Sequence, residues 1–213
     1  MTAQPSSPNI HFYFDPSCPW AYVTSLWAKN VADQRGFTIR WRAFSLRMKN
    51  APPEGADRLP PSMGHRCLRV VAAAQATGAD DNAIGALYGE MGRRRHASGL
   101  ADRPDIGAPE ELASMLDACG LDAALASAAD EDRWDQAIEA DMSEAIEKAG
   151  NDIGVPIIVL DDGDGPAWFG PVVSRAPDGE EALRLWDAFE TVARIPYLFE
   201  LKRGRTERPV TTQ

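Results

Sequence analysis

The stretch FYFDPSCPWAYVTSLW, residues 12–27, is the most informative part of this chain for its fold class. In NIHFYF, which overlaps its start, apolar residues alternate with His11 and Tyr13, a period typical of a half-buried strand. The turn DPSCP follows, and Pro19 suits the first position of a helix because its missing N–H would have no partner there. The stretch predicts a strand that runs through a turn into a helix, with Cys18 at the junction.

Further strands flank a long central block. FTIRWRAF, residues 37–44, predicts a second strand, so that strand, helix and strand form a right-handed unit with parallel strands. VPIIVL (155–160) and AWFGPVV (167–173) predict two more strands around a hairpin-like DDGDGP, and the chain then predicts a last amphipathic helix.

The central block predicts helices alone. It follows the proline-rich connector KNAPPEGADRLPP, residues 49–61, and is rich in alanine with apolar residues at helical spacing. Glycines at positions 78, 99, 120 and 150 predict helix ends. We therefore expect a discontinuous domain of residues 1–50 and 150–213, interrupted by a helical insertion of residues 60–149.

Composition excludes several classes of function. The chain of 213 residues has 22 Lys and Arg against 32 Asp and Glu, a net charge of −10 that disfavours nucleic-acid binding. No stretch reaches the ~18 apolar residues of a membrane span, and MTAQPSSPNI lacks the pattern of a signal peptide. Three scattered cysteines without a CxxC pair are typical of a reducing compartment, so we expect a cytoplasmic protein that does not act at a membrane.

Cys18 is the candidate nucleophile. Backbone N–H groups at a helix amino terminus stabilise a thiolate and can lower the pKa of a cysteine, which predicts a reactive thiol here. A buried apolar cysteine is the alternative for the same residue. Cys67 lies on an apolar helical stripe and Cys119 precedes a helix-ending glycine, so both are interpreted as structural. The sequence shows no metal-binding spacing.

The order strand, Cys-Pro-x-x, helix, helical block and late Val-Pro resembles the thioredoxin fold in its DsbA-like form, an α/β fold with an all-helical insertion. FDPSCPWAYVTSLW, SLRMKN, GRRRH and FGPVVSRAPDGEEALRLWDAFETVARIPYLFELKRGRTERP further resemble the actinobacterial mycothiol-dependent nitroreductase family, over nearly the whole chain. That family reduces nitroaromatic compounds with electrons drawn from mycothiol through a mycoredoxin.

The resemblance implies a set of site residues. Cys18 would be the catalytic nucleophile, and six residues would bind the substrate: Pro19, Trp20, Asn50, His96, Val155 and Pro156. Pro156 would be cis and lie beside the cysteine. No tightly bound cofactor is implied; mycothiol or glutathione would be a co-substrate, and a mycoredoxin-like protein a partner. A homodimer is one option that the sequence leaves open.

One position departs from the family pattern. The family motif is CPWC, whereas Ala21 stands here in place of the second cysteine. A dithiol enzyme uses that cysteine to release its mixed disulfide, so release here needs another thiol. Three functions stay open at this point: a one-thiol oxidoreductase acting on nitroaromatic or disulfide substrates, a thiol-activating enzyme like the kappa-class glutathione transferases and chromene carboxylate isomerases, and a binding domain without catalysis.

Overall fold

A computed structural model describes residues 9–51, 61–97 and 105–212. Strand β1 (Ile10–Phe14) is fully buried and leads through the turn into helix α1 (Pro19–Arg35), which ends at Gly36 with a left-handed φ of 74°. Strand β2 (Ile39–Ala43) then pairs with β1 in parallel. The predicted strand–helix–strand unit is therefore confirmed.

In the described residues, four strands form one sheet in the order β2-β1-β3-β4. Strand β3 (Ile157–Val159) is antiparallel to β1, and β4 (Ala167–Phe169) is antiparallel to β3. The hairpin predicted around DDGDGP is thus present, although each strand is only three residues long. The mixed sheet places the carboxyl end of β1 next to the amino end of β3, because these strands run in opposite directions.

The described residues between β2 and β3 are helical. They form α2 (Leu46–Lys49), α3 (Met63–Ala76), α4 (Asp81–Gly92) with a π-helical turn (Arg93–Ala97), α5 (Pro109–Ala118), two 3₁₀ segments (Ala123–Asp130 and Asp132–Trp134) and α6 (Asp135–Ala149). Gly78, Gly120 and Gly150 follow helix ends with positive φ as predicted. Gly99 and most of the connector 49–61 lie outside the described residues.

Aromatic side chains pack the helices on both faces of the sheet. Helix α7 (Gly179–Ala193) follows β4 and lies against α1, where the indole N–H of Trp27 donates a 3.0 Å hydrogen bond to the Ala182 carbonyl. Trp186 packs against Trp27 with ring centroids 5.8 Å apart. On the other face, Trp41 and Tyr88 join β2 to α4, with centroids 5.5 Å apart.

The expected fold class, an α/β thioredoxin-like fold with helices inserted between β2 and β3, is confirmed. The division into a discontinuous domain (1–50 and 150–213) and an insertion domain (60–149) stays a prediction. Within the part of the chain that the structure describes, no helix combines the length and the apolar character needed to cross a bilayer.

Candidate active site

Cys18 lies at the amino end of α1 and caps it. Its backbone is extended (φ −91°, ψ 109°), and its sulfur accepts a hydrogen bond from the Ala21 N–H at 3.5 Å. Its own N–H donates to the Asp15 carbonyl at 2.9 Å, which closes the turn after β1. Since Pro19 supplies no N–H, the first backbone donor that α1 can offer to a thiolate comes from the next residues.

Val155 and Pro156 lie beside the sulfur, as the resemblance implied. The Val155–Pro156 peptide bond is cis, and the Cys18 sulfur lies 3.7 Å from the Val155 carbonyl oxygen. These residues are 137 positions apart in sequence, and the antiparallel pairing of β1 with β3 brings them together. In the thiol form Cys18 donates its S–H to this carbonyl. Cys18 as a whole residue is half-buried.

The predicted lowering of the Cys18 pKa is wrong for this arrangement. Burial raises the pKa of the thiol, and hydrogen bonds from the backbone of Ala21 and Trp20 act in the opposite direction. The negative charge of Asp15 raises the pKa further, whereas Arg205 lowers it. Desolvation penalises the charged form more than a few exposed dipoles stabilise it. The net effect of this arrangement is to raise the pKa of the Cys18 thiol.

Asp15 stabilises the turn between β1 and α1 through hydrogen bonds to its buried carboxylate. Its carboxylate is almost fully buried and accepts hydrogen bonds from the Ser17 N–H (2.8 Å), the Ser17 hydroxyl (2.6 Å) and the Leu46 N–H (2.8 Å). Burial raises the pKa of Asp15, while these three donors act to lower it. All three contacts donate to the carboxyl oxygens, so the ionised form satisfies the turn. Gly64 of α3 lies so close that an added Cβ would be 2.3 Å from the carboxylate.

Trp20 lies in the wall of a large open cleft. The cleft has a volume of about 1630 Å³ and is bounded by β4, the loop after it, and the segment after α7, residues 196–207. Cys18, two positions before Trp20, is not among the lining residues. The Arg205 guanidinium carbon lies 4.7 Å from the centroid of the Trp20 ring, in a cation–π contact.

His96 lies behind the turn rather than in the cleft. Its side chain is buried, its Nε2 lies 3.0 Å from the Pro16 carbonyl, and its ring packs on Tyr22 with centroids 5.6 Å apart. The sequence suggested that His96 reaches a substrate from the helical insertion. Its position, with only 3% of its surface exposed, favours holding the turn instead.

Asn50 follows α2 and is exposed. Its side-chain amide donates a 2.8 Å hydrogen bond to the Leu46 carbonyl. Leu46 in turn donates its N–H to Asp15, so Asn50 is one helical turn from the floor of the site. No contact in the described residues joins Asn50 to Cys18, and its role in substrate binding stays a prediction.

The other two cysteines do not meet Cys18. Cys67 is fully buried in α3, and its S–H donates to the Ile106 carbonyl at 3.5 Å. Burial raises the pKa of Cys67 strongly. Cys119 caps the far end of α5 and is half-buried, and burial raises its pKa as well. All three thiols are free.

A buried Ser-His-Asp row beside the site was not found from the sequence. The Ser45 hydroxyl lies 3.0 Å from His65 Nδ1, and His65 Nε2 lies 2.9 Å from an Asp135 oxygen that also binds Arg69. Ser45 and His65 have no exposed surface, and the Ser45 hydroxyl caps α2 by accepting the Met48 N–H. The row joins α2, α3 and α6 under the turn. Among the described residues, no group of His, Cys, Asp and Glu could hold a metal ion.

A cysteine at a helix start beside a cis-proline, on a β2-β1-β3-β4 sheet with inserted helices, defines a protein of the DsbA-like thioredoxin fold. Solved structures agree on the fold. The cytosolic disulfide reductase DsbM of Pseudomonas aeruginosa is similar with a TM-score of 0.56 and 18% identity, over 87% of this chain and all of that one. Chlamydia trachomatis DsbA is similar with a TM-score of 0.55 and 15% identity, over 90% of this chain and 91% of that one. A 2-hydroxychromene-2-carboxylate isomerase is similar with a TM-score of 0.56 and 18% identity, over 87% of this chain and 96% of that one.

Sequence comparison narrows the class. The chain belongs to the Rv2466c-like family, described as mycothiol-dependent nitroreductase Rv2466c, whose model matches residues 17–203. It is also 32% identical over 208 residues to the Mycobacterium tuberculosis protein Rv2286c, which covers 95% of this chain and 84% of that protein. The family suspected from the sequence is therefore confirmed.

Proposed function

We propose that this protein is a cytoplasmic one-thiol oxidoreductase that works through a mixed disulfide between Cys18 and a low-molecular-weight thiol. The observation that carries the proposal is the placement of Cys18. The residue is half-buried, and its sulfur contacts the Val155 carbonyl and the Ala21 N–H. Membership in a family named for a mycothiol-dependent nitroreductase supports mycothiol as that thiol.

The reaction with a disulfide proceeds in two exchanges. The Cys18 thiol loses its proton, and the thiolate attacks one sulfur of the disulfide. A new S–S bond forms at Cys18, the old S–S bond breaks, and the second half leaves as a thiolate. Because Ala21 offers no thiol, and neither Cys67 nor Cys119 contacts Cys18 in the described residues, an external thiol is proposed to attack the mixed disulfide and restore Cys18.

Reduction of a nitroaromatic compound fits the same site. Two thiols, Cys18 and one mycothiol, supply two electrons and two protons. The nitro group becomes a nitroso group, one water molecule leaves, and a Cys18–mycothiol disulfide forms. Trp20, in the wall of the cleft, offers a flat face for an aromatic substrate. Pro19, Asn50, Val155 and Pro156 are proposed to complete the substrate site, and His96 to hold the turn that carries Cys18.

Intact-mass measurement tests this function. After exposure to oxidised mycothiol, the protein is expected to gain one mycothiol residue, mapped by peptide analysis to Cys18. Oxidised glutathione serves as the competing thiol, and Cys18→Ser serves as the control that gains nothing. An unmodified Cys18 with both reagents would defeat the proposal.

A second function has one observation in its favour. Burial raises the pKa of Cys18, and a protonated thiol can orient another thiol without being oxidised itself. This function is a thiol-activating transferase or isomerase. It predicts turnover of a thiol-conjugation substrate while Cys18 never carries a mixed disulfide. A domain that only binds ligands would instead keep its affinity in Cys18→Ser and turn over nothing.

A further inference from the structure

We infer that Arg205 is an anion-recognition residue of the Cys18 site, which selects substrates with a carboxylate or a similar oxyanion close to the atom that Cys18 attacks. The inference rests on the proposed function, because it needs a reactive Cys18. Arg205 lies in the segment after α7, residues 196–212. From the sequence alone, the basic run ELKRGRTER in this segment is interpreted as a solvated end of the chain.

The segment is tied back over the site at three places. The Thr211 hydroxyl donates a 2.5 Å hydrogen bond to the His96 carbonyl, and the Val210 N–H donates to the Ser174 carbonyl at 2.6 Å. The Glu207 carboxylate accepts a hydrogen bond from the Ser174 hydroxyl. These contacts attach the segment that carries Arg205 to the rest of the fold, and Arg205 lies in the wall of the cleft.

The flat face of the Arg205 guanidinium stacks on Trp20, which leaves the N–H groups at its edge available to a ligand. Its guanidinium carbon lies 4.7 Å from the Trp20 ring centroid, and the group is exposed. A guanidinium that stacks on an aromatic face keeps its five N–H donors directed outward in its own plane. Within residues 9–51, 61–97 and 105–212, no side chain or carbonyl accepts a hydrogen bond from Arg205 and no carboxylate pairs with it.

Three other cations of the cleft differ from Arg205 because each forms an ion pair within the protein. Arg175 pairs with Glu181, Arg194 with Asp161, and Lys148 with Glu144. Those charges are satisfied by the protein. Lys202 and Arg203 line the same cleft without a partner in the described residues, and the cation–π contact with Trp20 is made by Arg205. Arg205 is thus the cation that the fold places against the residue next to Pro19.

The surrounding charge makes this guanidinium useful to a substrate. The net charge of −10 repels anions at long range. A carboxylate that reaches the cleft meets a positive, unpaired fork with the geometry for bidentate binding. Its attraction to Arg205 would hold the reacting atom over Trp20 and close to Cys18. The positive charge also favours the Cys18 thiolate, since Arg205 acts to lower the pKa of that thiol.

Paired alkylation of Cys18 tests the inference. Iodoacetate and iodoacetamide react alike: the thiolate forms an S–C bond, iodide leaves and the thiol proton goes to solvent, but only iodoacetate carries a carboxylate. Rates at Cys18 are measured by peptide mass spectrometry, so that labelling of Cys119 does not interfere. An effect of Arg205 on the thiolate fraction or on access changes both rates and cancels in their ratio.

The ratio of the iodoacetate rate to the iodoacetamide rate is expected to fall about three- to fivefold in Arg205→Gln, the size typical of an exposed charge pair. Arg205→Lys is expected to retain part of the preference, and Arg203→Gln, the matched control, to retain all of it. Salt at about 1 M, which screens exposed charges, should bring the wild-type ratio to the Arg205→Gln value.

An unchanged ratio in Arg205→Gln, or an equal fall in Arg203→Gln, would overturn the inference and leave the proposed function intact. No labelling of Cys18 by either reagent would instead overturn the proposed function, and the inference with it.

Discussion

Replacing Asp15 by Asn should make the protein less stable and Cys18 more reactive. The buried carboxylate accepts three hydrogen bonds, two from Ser17 and one from Leu46. An asparagine of the same shape has one oxygen and one NH₂ group, so at least one buried N–H then faces another donor. Loss of a hydrogen bond to a charged group costs about 1.5–3 kcal/mol, which in a chain of this length lowers the melting temperature by roughly 3–12 °C.

The same substitution removes a negative charge that raises the pKa of Cys18. The thiolate fraction at pH 7 should therefore rise, and alkylation by iodoacetamide should become faster in the folded variant. Urea denaturation gives the free energy of unfolding, and the alkylation rate is measured below the transition. Asp117→Asn, at an exposed position of α5, is the matched control and should change neither quantity. A folded Asp15→Asn variant as stable as the wild type, or one that is alkylated more slowly, would refute this account of the turn.

Two further predictions concern packing and pH. Gly92→Ala should lower the free energy of unfolding by about 1–3 kcal/mol, because the new Cβ would lie 2.0 Å from a Tyr22 ring carbon. Gly89→Ala in the same helix places its Cβ in open space and should stabilise the protein by up to about 1 kcal/mol. Urea midpoints of the two variants check this, and equal midpoints would contradict it. Since burial raises the pKa of Cys18, its alkylation rate should keep rising above pH ~8.5, the ordinary pKa of a cysteine, and a plateau below pH 8 would contradict the raised pKa.

Local patterns were enough to predict the frame of the fold. Alternation in NIHFYF and Pro19 after the turn predicted β1 and α1, and the structure confirms them. The predicted strands were longer than the observed ones, since VPIIVL pairs only over Ile157–Val159. The residues before Ile157 form the turn that faces Cys18 instead of extending the ladder. Periodicity reports burial, and these residues are buried without being paired in the sheet.

The candidate site was predicted in part. The cysteine and the cis-proline depend on local motifs and a family resemblance, and these identified both. Sequence patterns did not predict three contacts between residues far apart in the chain: Asp15 with Leu46, His96 with Pro16, and Arg205 with Trp20. A pattern that reads neighbours along the chain cannot show which side chain folds back from 185 positions away. The pKa of Cys18 was mispredicted for a related reason, because desolvation depends on the whole fold whereas the helix end is a local feature.

The fate of the mixed disulfide tests the one-thiol account most directly. Wild-type protein and Ala21→Cys are loaded with oxidised mycothiol, freed of excess reagent and followed by intact mass without added thiol. The wild-type adduct on Cys18 is expected to persist until external thiol is supplied, while Ala21→Cys should release mycothiol and end two mass units below its reduced form. A wild-type protein that releases the adduct unaided, or that never forms it, would contradict the account.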